Sequence, residues 1–259
     1  MNLVEKEISK DIKLVILCSI CTALIPVLFL SIYPIIGKEV SGLLNMTLIN
    51  TPDSFNINST INYTSITNYL GYIFNYVYII GGIYGGILGA TSNLRNYKLK
   101  RKEYKNFIKV KIIANLEKYI AYSLIIGMVT FIAIVIITPM NSKLELILLE
   151  EVYLIFGLII IGILFMSIGF IIFLLIKKEL NSVLVVLCVL AYTYVLGVAS
   201  RLTYKLEILK IFSPFENMNA MDIVNYGFNK FIVIGMIFIS ISCMLITVII
   251  FSIRLKEVN

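Results

Sequence analysis

A chain of 259 residues that is 59% hydrophobic and only 14% charged, with a mean hydropathy of +0.96, lies outside the range of water-soluble domains and inside that of integral membrane proteins. Its net charge of +7 does not point to nucleic acid, because the lysines and arginines sit between long apolar runs, where anionic lipid and the positive-inside rule place them. Histidine is absent, which removes imidazole bases, histidine-ligated zinc and HExxH proteases.

Residues 1–13 are charged but carry Val4, Ile8 and Ile12 at i, i+4, i+8, the spacing of an amphipathic helix lying along the cytoplasmic interface. Residues 14–36 follow as an apolar run long enough to cross about 30 Å of hydrocarbon, with Pro26 predicted to kink it and Pro34 to mark its outer end. The run is too long for a cleavable signal and no small-x-small site follows it. Residues 37–68 are rich in Asn, Ser and Thr and read as an external segment.

The second span, 69–92, carries Gly81, Gly85 and Gly89 at every fourth position, which strips one helix face of side chains and lets another helix approach backbone to backbone. That neighbour can belong to the same chain or to a partner; packing within the chain is the simpler reading. The outer half carries Tyr69, Tyr72 and Tyr76 along one face with Asn75 adjacent, and Tyr72, Asn75 and Tyr76 make a candidate substrate path, although interfacial tyrosine belts alone account for Tyr69 and Tyr72. Cys18 and Cys21, like Cys188 and Cys243, lie in apolar runs, so the C-x-x-C reads as helix packing and no disulfide framework is implied.

Between spans two and three lies a block in which eight of the 22 basic residues fall within 93–111, mixed with Tyr97, Tyr104, Phe107 and Ile108 near helical spacing. Cations resist translocation, so this block is predicted to stay cytoplasmic as a surface helix with one face free for a partner. The remaining spans are predicted at 119–138, 152–176, 182–199 and 231–253, the fourth able to begin earlier because 144–149 is itself apolar. With that assignment 16 of the Lys and Arg residues lie inside and 6 outside, placing both termini in the cytoplasm. Before the last span, residues 201–212 are amphipathic and Ser213-Pro214-Phe215-Glu216 is a helix start, with Ser213 as cap, Pro214 at the first position and Glu216 able to return the capping bond. A short outer helical hairpin is the expectation, within a single all-α domain of six membrane helices.

The span cores so bounded contain no Asp, Glu, Lys or Arg, which argues against buried-carboxylate transporters and aspartyl proteases. No G-x-x-x-x-G-K-[ST] occurs, and no serine has a histidine to activate it. The expectation is a non-enzymatic membrane protein with no cofactor or metal of its own.

This order of elements resembles the type-2 ATP-binding-cassette (ABC) exporter permeases over essentially the whole chain. The most specific likeness is Ile211-Phe212-Ser213-Pro214-Phe215 running into Asn219-Ala220-Met221-Asp222-Ile223, similar to the Ser-Pro-Phe and Ala-x-Asp-Ile pattern before the sixth span of many such permeases. The resemblance implies a permease in a bacterial cell membrane that forms the translocation path, pairs with a second permease subunit, and docks a separate ATPase carrying ATP and Mg. It assigns 93–111 as coupling helix, with Tyr97, Lys100, Arg101, Tyr104, Phe107, Ile108 and Lys111 as docking residues. Export of drugs or peptide antibiotics is the analogous role. The same stretch departs from the family pattern: the acidic run, the proline and the Ser-Arg turn are missing. An ATP-independent transporter or channel is the alternative.

Overall fold

A computed structural model of the chain describes residues 3–44, 66–91, 101–137, 144–176 and 178–257. The described residues are almost all helical and form no strands: α1 (Leu3–Leu44), α2 (Ile66–Ala90), α3 (Arg101–Ile137), α4 (Leu144–Ile176) and α5 (Glu179–Ser200) are followed by a 3-10 helix (Tyr204–Phe212), α6 (Pro214–Asn217), α7 (Ala220–Tyr226) and α8 (Lys230–Glu257). Six of these helices are long and apolar enough to cross a membrane, over Asp11–Tyr33, Ile66–Ala90, Ile108–Ile137, Ile147–Ile176, Glu179–Ser200 and Lys230–Phe251. They alternate in direction, so that Leu3, Ala90, Arg101, Ile176 and Glu257 mark one end of the bundle, the near end, and the insert between α5 and α8 lies at the far end.

α2 and α4 form the centre, running parallel along the glycine row. A Cβ on Gly85 would strike the carbonyl oxygen of Gly162, one on Gly89 that of Met166, and one on Gly169 would lie 2.6 Å from the carbonyl oxygen of Gly86. The glycine face is therefore closed by a helix of the same chain. Lipid tails are as apolar as leucine, so this contact is held by dispersion and hydrogen bonds rather than by the hydrophobic effect. Two tyrosines supply such bonds, Tyr78 donating to the Leu154 carbonyl at 2.9 Å and Tyr119 to that of Leu158 at 3.0 Å. Gly157 and Gly162 leave the space these two phenols occupy. α1 joins the bundle through α3, where Tyr122 Oη donates to Thr22 Oγ1 at 3.0 Å, and α8 and α5 pack on the flanks of α4.

Several predicted boundaries are corrected. The interfacial helix expected over 1–13 is continuous with the first span, and α1 passes through Pro26 and Pro34 to end at Leu44. Its 42 residues make a rod of about 63 Å, which projects beyond a 30 Å hydrocarbon layer. Likewise the basic segment, from Arg101 on, is the beginning of α3 and not a separate surface helix; residues 92–100, including Tyr97 and Lys100, lie outside the described residues, as does the first loop over 45–65. The third span does not start at Tyr119, because the polar residues preceding it are satisfied inside the bundle. Asn115 Nδ2 donates to the Leu88 carbonyl at 2.8 Å, and Lys118, only 2% exposed, pairs with Asp11 at 2.6 Å.

The fourth span begins within the earlier apolar stretch and includes Glu150 and Glu151, so the expectation of acid-free spans fails there. Glu151, 3% exposed, accepts a close hydrogen bond from Thr130 across the α3–α4 contact. Both ionisable residues lie within about three turns of an end of their spans, where a single partner suffices to hold them.

Candidate binding cavity

At the far end, the chain after α5 folds back into the bundle and walls a cavity of about 1020 Å³ together with the outer half of α2. Its construction starts at Gly197 and Ser200 in the last turn of α5. Gly197 has no side chain to keep Ser213 away: a Cβ there would lie 2.5 Å from the Ser213 hydroxyl oxygen. Ser213 is fully buried, and its Oγ accepts the Glu216 N–H at 3.3 Å, with Pro214 at the first position of α6. Glu216 does not return a bond to Ser213 as a capping box would; its carboxylate is drawn to Arg201, at 2.5 Å from Nη2 and 2.7 Å from Nε. A charged partner outcompetes a neutral amide for a carboxylate that is only 10% exposed. Phe215 stacks on Phe165 of α4 at 5.2 Å and meets Tyr194 edge-on at 6.1 Å. The Ser-Pro-Phe-Glu turn is thus wedged among α2, α4 and α5.

The second fastening is Asn75. Its Oδ1 accepts the Ala220 N–H at 2.8 Å, the first amide of α7, and its Nδ2 donates to Asn219 Oδ1 at 3.3 Å. Asn219 in turn accepts the Met221 N–H at 3.0 Å, so two asparagines share the free donors at the start of this short helix. Gly71, one turn before Asn75, lets α7 come close: a Cβ there would lie 3.0 Å from the Met221 Cα.

Tyr72 and Tyr76 face the cavity from α2 with their hydroxyls hydrogen-bonded at 2.8 Å and their rings perpendicular. Glu207 and Lys210 enter from the 3-10 helix, and Asp222, Asn225 and Tyr226 from α7. Burial pushes the Asp222 carboxyl above its ordinary range; Lys210 opposes this, Glu216 adds to it, and Arg201 opposes it. Among the described residues no group of His, Cys, Asp and Glu is arranged to hold a metal ion, and all four cysteines are unpaired. The cavity presents phenols, amides, carboxylates, the Thr203 hydroxyl, one lysine and the Arg201 guanidinium paired with Glu216. Its serines are spent on the backbone, Ser213 as a cap and Ser200 donating to the Gly197 carbonyl at 2.7 Å.

The sequence-predicted residues thus fall into three places. Tyr72, Asn75 and Tyr76 come together with Ser213, Pro214, Phe215 and Glu216 in and around the cavity, Asn75 as a fastener as well as a wall. Gly81, Gly85 and Gly89 lie in the sealed α2–α4 seam. Of the docking residues, Arg101, Tyr104 and Phe107 belong to the first two turns of α3. Ile108 (2% exposed) and Lys111 (9%) are taken up by the chain's own packing, Ile108 in a cluster with Met166, Phe170 and Phe173 of α4, so neither offers a surface to a partner. By sequence Asp222 stands out only as part of the Ala-x-Asp-Ile likeness and not as a site residue, and Glu207 and Lys210 were not proposed as site residues; their signal is that they flank the Ser213 cap in an insert too polar to be a span.

No protein family model, curated protein or solved structure matches this chain.

Proposed function

We propose that this chain is the membrane subunit of an ABC exporter, a permease of a bacterial plasma membrane with both termini in the cytoplasm. It pairs with a second permease subunit and with an ATPase that carries ATP and Mg. The observation that carries the proposal is the placement of the Ser213-Pro214-Phe215 insert, which closes a polar cavity at the end of the bundle opposite the one from which the basic segment enters α3. A transported molecule and an energy-coupling partner then have separate surfaces at opposite ends, joined by rigid helices that can carry movement between them. Docking falls to the start of α3, with Tyr104 and Phe107 as its aromatic contacts, because Ile108 and Lys111 are occupied.

Co-expression with a cognate ATPase is expected to yield a co-purifying complex, and replacing Tyr104 and Phe107 together by Ala is expected to weaken it about tenfold or more, as loss of aromatic anchors does at other interfaces. A complex of unchanged yield in the double variant would remove the docking assignment. Transport by the purified chain in liposomes without any ATPase would favour the ATP-independent transporter instead.

A further inference from the structure

The charges around the cavity do not balance. Arg201 is committed to Glu216 at 2.5 Å, which leaves Lys210 facing two carboxylates, Glu207 and Asp222. A surplus negative charge at a concave site attracts cations. Aromatic residues complete the same preference: Tyr72, Tyr76, Tyr194 and Tyr226 line the cavity, and phenol faces attract ammonium groups, most effectively those too substituted to hold a full water shell.

The surroundings add an apolar requirement. The 3-10 helix begins four residues after the last residue of the fifth span, and it turns Ile208, Ile211 and Phe212 outward at 66%, 70% and 63% exposure. Such side chains next to a span terminus belong in the membrane interface, where apolar surface can leave water. The cavity therefore opens beside a lipid-facing shelf, and a ligand whose head group sits among the tyrosines and carboxylates has somewhere to lay a chain.

We infer that the far-end cavity is a binding site for amphiphiles whose head group carries an ammonium, taken up with the head between Tyr72, Tyr76, Glu207 and Asp222 and the apolar tail along Ile208, Ile211 and Phe212. A volume of about 1020 Å³ is at the upper limit of small-molecule sites and admits a substituted head group with room for bridging water. The inference rests on the cavity alone and needs no ATPase, so it stands or falls separately from the exporter reading.

The test uses the purified full chain in micelles of a neutral maltoside detergent and a nitroxide-labelled long-chain alkyltrimethylammonium, the immobilised fraction being read by electron paramagnetic resonance. One immobilised probe per chain is expected, displaced by unlabelled alkyltrimethylammonium. The uncharged tert-butyl analogue and the alkyl sulfate are expected to compete about tenfold more weakly or worse, the scale of one lost cation–aromatic and charge contact. Glu207→Gln combined with Asp222→Asn is expected to weaken binding about tenfold, and Lys210→Gln, which removes the competing cation, to strengthen it severalfold. The opposite signs guard against misfolding, which weakens binding in every variant. Equal competition by the uncharged analogue, preference for the sulfate, or weakening by Lys210→Gln in a chain of unchanged helicity overturns the inference.

Discussion

α2 has two different halves, one sealed by packing against a neighbouring helix and the other bordering a cavity. From Gly81 to Ala90 its face is stripped to backbone and sealed against α4, with no room for even one more methyl group at Gly85 or Gly89. From Asn68 to Ile79 it faces a cavity instead, and its polar side chains hold a mobile-sized insert in place by two hydrogen bonds from one residue, Asn75. The sealed half is rigid because its contacts are carbonyl oxygens, which cannot rotate away. The open half rests on replaceable side-chain bonds within reach of water. In the proposed exporter, movement would pass along α2 as along a stiff rod, and selectivity would reside in side chains that can change without unseating it.

The sealed half is the place to break the molecule. Gly89→Val puts a branched side chain against the Met166 carbonyl and is expected to cost about 3 kcal/mol or more, since overpacking against backbone has no side chain to yield. The loss appears as a lowered melting temperature in detergent, or as aggregated protein on size exclusion. Gly235→Ala on α8 is the control: nothing lies within 4 Å of its Cβ, and it should be neutral or slightly stabilising. Equal effects at the two positions would contradict the seam. In the open half the expected effect is smaller. Asn75→Ala leaves the Ala220 N–H without its acceptor at a site that water can reach, a cost of about 1 kcal/mol, with faster hydrogen exchange confined to 219–226. Exchange that rises across the whole bundle would show Asn75 to be part of the core instead of a fastener.

This division also explains what could be read from the sequence. The six apolar helices were legible because crossing a membrane demands length; of the tyrosine face, Tyr72 and Tyr76 with the adjacent Asn75 do line the cavity, whereas Tyr69 is turned to α1, where it donates to the Phe29 carbonyl. Span ends were misplaced where a polar residue has a distant partner: Lys118 looks like a boundary until Asp11, far away in sequence, neutralises it, and Glu151 until Thr130 is brought alongside. The glycine row announced a close approach but not its partner, since the facing Gly162 and Gly169 of α4 follow no four-residue repeat. Ser213 as a cap was local and readable. Glu216 was not, because Arg201 offered a stronger bond than the reciprocal one that local pattern predicts. The cavity escaped altogether, for it exists only once 201–226 folds back onto α2.

The smallest expected effect bears most directly on what the open half is for. Asp222 is pushed up mainly by burial, with Lys210 and Arg201 opposing and Glu216 reinforcing the shift. A carboxyl whose folded value is raised holds its proton more tightly folded than unfolded, so its stabilising contribution is complete below the ordinary aspartate range and is lost as pH rises through the raised value. Asp222→Asn should therefore melt together with the unaltered chain in acid and slightly above it at neutral pH. A pH-independent difference, or an unaltered chain that is the more stable at neutral pH, would exclude burial as the dominant influence. If the cavity accepts an ammonium head group, the bound cation adds at neutral pH to the counter-charge that Lys210 and Arg201 already give Asp222. Adding alkyltrimethylammonium should then raise the melting temperature of the unaltered chain by more than it raises that of Asp222→Asn. A carboxylate kept at a net cost to stability and relieved by such a cation would separate a binding wall from a packing wall such as the glycine seam.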